Sequence, residues 1–536
     1  MLVSGGILTT ISLCNAKLSL EVEMMANTDD KKHRAILQRI ARKAMLERGL
    51  LPEFSKKALA ELDRIDAPAS PTGASIRDLR DLLWCSIDND DSLDLDQLTV
   101  AEAMPSGAVK VRVAIADVDA LVRKRSEIDN HARQNTTSVY TAAEIFPMLP
   151  PKLSNDLTSL NKGSDRLAVV VEMVFAPDGT LQSSDVYRAM VRNHAKLAYN
   201  SVAAWLEGTG PAPQELVAVD GLAENIRLQD RVAQTLKANR YRQGSLELET
   251  IKAHPVFDSD RLKDLEKDES NRAKDVIAEF MIAANGVTTR YLTARKFPTL
   301  QRVVRVPKRW GRIVEIAAKM GYRLPRKPDS EALELFLASA KAADPIRFPD
   351  LSLSVIKLLG SGEYVVQRPG ERPIGHFGLA VRDYNHSTAP NRRYPDLITQ
   401  RLLKAAIAGS SSPYSVGELE DLARHCTEQE DDASKIERQV GKSAAALLLE
   451  SRIGEQFDAV VTGVTDHGTW VRIFNPPVEG KLEHGYEGVD VGDLVRVQLI
   501  GTDVERGFID FKRVKTGKLH GHRDHSVLET GPGTLQ

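Results

Sequence analysis

The stretch SIDNDDSLDLDQ, residues 86–97, holds five carboxylates within nine residues. So much negative charge in one short segment is unfavourable unless cations offset it. Mg²⁺ and Mn²⁺ prefer hard carboxylate oxygens as ligands. We therefore expect a metal-binding loop at this point of the chain.

Two other interpretations of this loop are possible. Oxygen-bearing residues occupy alternate positions, as in an EF-hand calcium loop, but Leu93 stands where the sharp turn needs Gly and Thr99 where a bidentate Glu is expected. A solvated acidic loop is the second alternative. It stays open, although it does not explain why apolar residues interleave with the acids.

A second motif, HSTAPNRRYPD at residues 386–396, places Arg392 and Arg393 beside Tyr394 just before a predicted helix. Arginine forks bind phosphate through two hydrogen bonds, and an aromatic ring can stack on a base. The alternative is that the arginines pair with nearby carboxylates at the helix start. The motif alone does not decide between these.

A third segment, residues 290–312, contains eight Lys or Arg and no Asp or Glu. Tyr291, Phe297 and Trp310 are interleaved with the basic residues. This pattern is typical of a track for single-stranded nucleic acid, and equally of a solvated basic face.

Composition sets wider limits. The chain has 536 residues, 42% hydrophobic and 27% charged, which excludes a mainly disordered protein and allows three or four domains. The formal net charge of -2 gives no global basic field, so any nucleic-acid site must be local. Three cysteines cannot form a disulfide framework and suit a reducing compartment, so we expect a cytoplasmic protein without a membrane anchor.

Periodicity predicts an α+β fold. Strands are expected at residues 109–115 and 167–175, and helices at about 274–291, 396–408 and 418–451. Residues 31–78 form a helical, helix-turn-helix-like lobe, residues 79–453 a large mixed domain, and residues 454–513 a small β-barrel. Residues 1–30 are expected to be a disordered extension and residues 514–536 a disordered tail.

Taken together, these segments resemble the RNase II / RNase R family of exoribonucleases. Four blocks match in order: the acidic loop, FPMLP with the serines that follow it at residues 146–160, EFMIAAN at 279–285, and the motif at 386–396. The barrel is similar to an S1-type OB-fold RNA-binding domain. The resemblance runs from about residue 79 to residue 513 and implies an RNB catalytic domain, a mixed sheet surrounded by helices.

The resemblance also implies an activity. It is processive 3′-to-5′ hydrolysis of single-stranded RNA to nucleoside 5′-monophosphates, with Mg²⁺ and with Mn²⁺ as a possible substitute. The partner is then single-stranded RNA rather than DNA or a membrane, and the protein is expected to be a monomer.

Site residues are implied in the same way. Asp88, Asp94, Asp96 and Gln97 are the expected metal ligands, with Asp96 indispensable. Arg392 is the expected second catalytic residue, stabilising charge on the phosphate in the transition state.

Four further residues are expected to contact RNA. Tyr140 matches the position whose ring stacks near the 3′ end, Arg393 and Glu437 would align the substrate, and Trp470 would act from the barrel. For Tyr140, a role as a core tyrosine is the alternative.

This chain departs from the family pattern in two places. Gln97 stands where members usually carry a fourth Asp, which weakens the attraction for a second dication. The helical lobe takes the place of two cold-shock domains. An RNA-binding scaffold or regulator with an impaired hydrolytic site is therefore the alternative function.

Overall fold

The computed structural model describes residues 32–71, 76–249, 253–267, 270–345 and 347–514. The predicted extension and all but the first residue of the predicted tail lie outside the described residues. The chain divides into two compact units, residues 1–444 and 445–536.

The first unit is built around a seven-stranded mixed sheet. Its strands are β1 (Arg77–Asp78), β2 (Cys85–Asp88), β3 (Gln97–Ala103), β4 (Val109–Ala116), β7 (Asp165–Phe175), β8 (Leu181–Arg192) and β9 (Ala195–Ala198), in the order β1-β8-β7-β4-β3-β2-β9. Three two-stranded pairs accompany it: β5 (Val139–Tyr140) with β6 (Ile145–Phe146), β10 (Ala253–Asp258) with β11 (Arg261–Lys267), and β12 (Thr299–Val303) with β13 (Glu363–Gln367).

Helices surround this sheet. They are α1 (His33–Glu47), α2 (Lys56–Leu62), α3 (Glu127–Asn135), α4 (Tyr199–Leu206), α5 (Gln214–Val217), α6 (Leu222–Arg242), α7 (Arg272–Ala294), α8 (Trp310–Lys319), α9 (Ser330–Ala343), α10 (Phe348–Leu359), α11 (Tyr394–Ile407) and α12 (Val416–Leu449). In the described part of the chain, no helix combines the length and apolar character that crossing a bilayer requires. The predicted α+β class is confirmed.

Strand β7 lies near the middle of the sheet and is buried along almost its whole length. A continuous apolar run, rather than an alternating one, is typical of a strand covered on both faces. The helix predicted at 274–291 is α7, which starts earlier because the Asn271 side chain accepts a hydrogen bond from the Lys274 amide at 3.0 Å. Its buried face, with Phe280 and Ala284, packs into the core of the sheet.

The second N-terminal helix, α2, belongs to the same core. Ser55 caps α2, accepting a hydrogen bond from the Ala58 amide at 3.1 Å, and Ala58 and Leu62 join the central hydrophobic cluster. The cap and the buried residues place α2 at Lys56–Leu62. The boundaries set for the lobe remain a prediction.

Buried charges join helix α11 to the end of strand β4. The Arg401 guanidinium lies 2.8 Å from the carboxylates of both Asp119 and Asp129. The Lys404 ammonium lies 2.7 Å from Asp117. Removing one member of such a network leaves an uncompensated charge in a poorly hydrated site, so the network specifies how α11 docks.

The second unit contains a closed five-stranded barrel. Its strands are β14 (Gln456–Thr465), β15 (Gly468–Ile473), β16 (Glu479–His484), β17 (Leu494–Asp503) and β18 (Phe508–Arg513), in the order β14-β15-β16-β18-β17. Val461, Val471, Val497 and Phe511 are fully buried and form the barrel interior. Closure leaves no unpaired strand edge, as in OB-type barrels.

We predict that Arg401→Met lowers the free energy of unfolding of the full chain by about 3–5 kcal/mol, because Asp129 then stays buried without its partner. Arg424→Met is the matched control, since Arg424 pairs with Asp421 on the exposed face of α12. Urea unfolding followed by circular dichroism makes the comparison. Equal midpoints for the two variants would show that the network does not stabilise the fold.

Candidate active site

The acidic loop connects two neighbouring strands of the sheet. Strand β2 ends at Asp88, and β3 begins at Gln97. The carbonyl of Asp96 accepts a hydrogen bond of 2.9 Å from the amide of Ala116, the last residue of β4. The sheet therefore fixes the backbone of Asp96, while the residues between Asp88 and Asp94 form the loop that joins the two strands.

Asp96 is the most buried carboxylate of the loop, with 2% of its surface exposed. One oxygen, Oδ1, accepts a hydrogen bond of 2.8 Å from the Asn391 amide. The other, Oδ2, lies 3.4 Å from Nε of Arg392 and has no hydrogen-bond partner within the described residues. Burial raises the pKa of Asp96 to about 8 because desolvation penalises the charged form.

Asp94 lies beside Asp96 and contacts Tyr140. The phenolic hydroxyl of Tyr140 donates to Oδ2 of Asp94 at 3.3 Å. Burial raises the pKa of Asp94, and the nearby charge of Asp88 raises it further, while Arg392 opposes the shift. The fold thus brings together Asp88, Asp94 and Asp96, which are separated in sequence by a turn.

The carboxylate oxygens of Asp88, Asp94 and Asp96 are ligands of the type that a hard dication prefers. Asp94 interacts electrostatically with both Asp88 and Asp96, and Oδ2 of Asp96 is buried without a hydrogen-bond partner among the described residues. Within the described ranges, however, no three carboxylate, imidazole or thiolate groups form a complete set for a metal ion. Gln97, the fourth predicted ligand, is 9% exposed at the start of β3, and its role as a ligand remains a prediction.

The loop at 386–396 owes its shape to Asp396. Its Oδ1 accepts hydrogen bonds from the amides of Thr388 at 2.7 Å and Ala389 at 2.9 Å, and Arg393 donates to the same oxygen at 2.8 Å. Asp396 has no exposed surface. A carboxylate that accepts three hydrogen bonds at the start of α11 holds the preceding loop against the helix.

The two adjacent arginines therefore differ in their surroundings. The Arg392 side chain is 42% exposed beside Asp96, where a phosphate could reach it. The Arg393 side chain is 23% exposed and already paired with Asp396. Arg393 thus pairs with a carboxylate at the helix start, which is the alternative considered for this motif. Its contact with RNA remains a prediction.

Tyr140 is held at three points. Its amide donates to Glu437 of α12 at 2.9 Å, and its hydroxyl reaches Asp94. The segment before it pairs with the arginine loop, since the Ser138 amide donates to the Arg392 carbonyl at 3.0 Å. The Tyr140 side chain is 41% exposed, so it is not the core tyrosine of the alternative interpretation. Glu437 positions this residue, and contact of Glu437 with RNA is a separate prediction.

In the basic segment at 290–312, the three aromatic residues differ in exposure. Trp310 is 4% exposed and donates a hydrogen bond from its indole to the Pro325 carbonyl at 2.9 Å. Tyr291 and Phe297 are partly exposed. Arg302 pairs with Glu430 at 2.8 Å. Trp310 is therefore a core residue of this region, and the choice between a nucleic-acid track and a solvated basic face stays open for the rest of the segment.

Trp470 lies in the barrel. It is partly buried on β15 and pairs in register with Gly463 of β14. Contact of the Trp470 indole with a base stays a prediction.

Three contributors to the site escaped the sequence analysis. They are the Asn391 amide, the Asp396 carboxylate and Tyr199, a partly buried tyrosine whose pKa is raised by desolvation and by the charge of Asp88. Asp396 follows Pro395 at a helix start, a position where carboxylates accept backbone hydrogen bonds, and this signal was available. The contributions of Asn391 and Tyr199 depend on tertiary contacts.

We predict that Asp96→Asn raises the free energy of unfolding in metal-free buffer, by about 4 kcal/mol more at pH 9 than at pH 5. The native pKa of Asp96 is about 8, above the unfolded value, so the native state loses stability as pH rises toward 8. Denaturant titrations in EDTA measure the difference. Asp90→Asn, at an exposed acid of the same loop, is the control, and equal gains for both variants would contradict the expected cost of Asp96 burial.

The comparisons with known proteins agree with this arrangement. Residues 76–409 match the family model of the RNB domain, and residues 455–514 match the RNase II-type exonuclease C-terminal S1 domain. Ribonuclease R of Aquifex aeolicus is 31% identical over 472 residues, covering 83% of this chain. The chain spans 66% of the length of that relative.

Solved structures show the same fold. Mycoplasma genitalium RNase R in complex with ribose methylated single-stranded RNA superimposes with a TM-score of 0.79 at 22% identity, over 88% of this chain and 77% of that one. Yeast Ssd1, described as a pseudonuclease, has a TM-score of 0.62 at 17% identity, over 78% and 52%. With its catalytic-domain match covering more than half of its residues, the chain belongs to the RNB family and carries the C-terminal S1 domain of RNase II-type exonucleases.

Proposed function

We propose that the protein is a 3′-to-5′ exoribonuclease that hydrolyses single-stranded RNA processively to nucleoside 5′-monophosphates, with Mg²⁺ as its metal and Mn²⁺ as a possible substitute. One observation carries the proposal: among the residues that the structure describes, Asp96 holds a buried carboxylate oxygen without a hydrogen-bond partner, beside the exposed guanidinium of Arg392. Family membership and the RNA bound to the Mycoplasma genitalium relative support the choice of substrate.

The residues divide the work by chemistry. Asp88, Asp94 and Asp96 would hold the dication, which supplies positive charge at the scissile phosphate and lowers the pKa of a water molecule. The Arg392 guanidinium donates to phosphate oxygens as negative charge develops on them. Tyr140 offers its exposed ring to the terminal base, while its hydroxyl stays on Asp94.

The RNA-binding scaffold is the second candidate. Gln97 favours it, because a neutral amide replaces a carboxylate next to Asp96 and the described residues contain no complete three-ligand set. The likeness to the yeast pseudonuclease shows that this fold is compatible with such a role. Metal-dependent release of mononucleotides distinguishes the two functions.

The proposed activity is tested with 5′-labelled single-stranded RNA, Mg²⁺ and the full chain. Wild type should shorten the RNA from its 3′ end and leave DNA of the same sequence intact. Asp96→Asn should lower the rate by about 10²-fold or more while RNA binding persists, because it removes the negative ligand without changing size. Binding without any shortening by wild type would favour the scaffold.

We further predict that Gln97→Asp lowers the Mg²⁺ concentration needed for half-maximal rate, because it adds a carboxylate ligand. Gln182→Asp adds the same charge at an exposed position of β8 and serves as the control. Rates measured across a Mg²⁺ titration give the comparison. Identical Mg²⁺ dependence in wild type and Gln97→Asp would place residue 97 outside the metal site.

A further inference from the structure

The hairpin of β5 and β6 has one buried and one exposed face. Val139 and Phe146 lie opposite each other and are buried. Tyr140 and Ile145 also lie opposite each other, with 41% and 57% of their surfaces exposed. The exposed pair forms an apolar surface beside Asp94. Two strands of two residues each cannot hold this geometry alone, so the hairpin depends on support from outside.

Helix α1 supplies support at the turn of the hairpin. Arg42 donates from Nη2 to Oε1 of Glu144 at 2.7 Å, and its guanidinium lies 5.7 Å from the centre of the Phe146 ring. The other terminal nitrogen of Arg42, Nη1, donates a hydrogen bond to the Glu53 carboxylate, which further restricts the orientation of the guanidinium. Arg42 therefore contacts the hairpin at two residues: Glu144 in its turn and Phe146 on its buried face.

The same N-terminal region also holds the chain just before the hairpin. Leu51 and Asn135 exchange two hydrogen bonds of 2.8 Å, from the Leu51 amide to Oδ1 and from Nδ2 to the Leu51 carbonyl. Asn135 is fully buried and ends helix α3, five residues before Tyr140. The segment carrying Tyr140 is thus attached to the N-terminal helices on both of its sides.

We propose that Arg42 is a positioning residue for the RNA 3′ end, acting through Glu144 to hold the Tyr140 and Ile145 surface against the acidic loop. The inference rests on the proposed function and extends it, because it gives helix α1 a part in holding the last bases at the RNA 3′ end. A loose hairpin weakens retention of short RNA most, because long RNA makes contacts elsewhere on the protein.

The test compares Arg42→Ala, Glu144→Gln and the double variant with wild type in the full chain. For a single-stranded RNA of about five nucleotides, each variant should raise KM by about fivefold, while kcat on long RNA stays within about twofold. The double variant should be no worse than Arg42→Ala alone, because Arg42→Ala already removes the contact with Glu144. Amide hydrogen exchange in residues 139–146 should accelerate in all three.

Lys43→Ala is the matched control, since it removes a positive charge from the exposed face of the same helix, where Lys43 pairs with Glu47. It should leave both KM and exchange unchanged. The inference is overturned if Arg42→Ala and Glu144→Gln leave hairpin exchange and short-RNA KM at wild-type values, or if Lys43→Ala matches their effect. If wild type degrades no RNA, the proposed function fails, and unchanged exchange and short-RNA affinity in the variants would separately refute positioning by Arg42.

Discussion

Burial of the Asp96 carboxylate is the constraint around which the rest of the site is arranged. An ionised group at 2% exposure is strongly disfavoured unless hydrogen bonds and opposite charge surround it. The Asn391 amide and Arg392 supply these, and both come from a loop nearly three hundred positions later in the chain. The fold must therefore bring that loop to the end of β4 with a precision of tenths of an ångström.

Helix α11 positions the loop through hydrogen bonds and ion pairs with the end of strand β4. Gln400 donates to the Ala116 carbonyl at 2.7 Å, and the Ala116 amide in turn donates to the Asp96 carbonyl. The next residue, Arg401, enters the buried charge network. Asp396 also ties the loop to the first turn of the same helix. The position of Arg392 therefore depends on how α11 docks against the sheet.

The sequence was sufficient to predict several of the elements. The apolar run of β7 and the helical periodicity of α7 are local signals, and both segments form the predicted elements. Local signals could not separate Arg392 from Arg393, since both are arginines before a helix and only the position of Asp96 and Asp396 distinguishes them. The pattern around Trp310 is ambiguous for the same reason. An aromatic residue among lysines and arginines can stack on a base or pack in a core, and contacts with other segments decide between the two.

Gln97 has a physical consequence for the folded state itself. The pKa of Asp96 is already raised to about 8, and the neighbouring charge of Asp94 contributes to that shift. A further carboxylate at position 97 would add repulsion that only a bound cation offsets. Under the proposed function, the neutral amide would make the loop less dependent on cations for its folding and would weaken its hold on a second dication. Stability of the metal-free loop and affinity for the metal would then be opposed at this position, and Gln97 is the residue that favours stability.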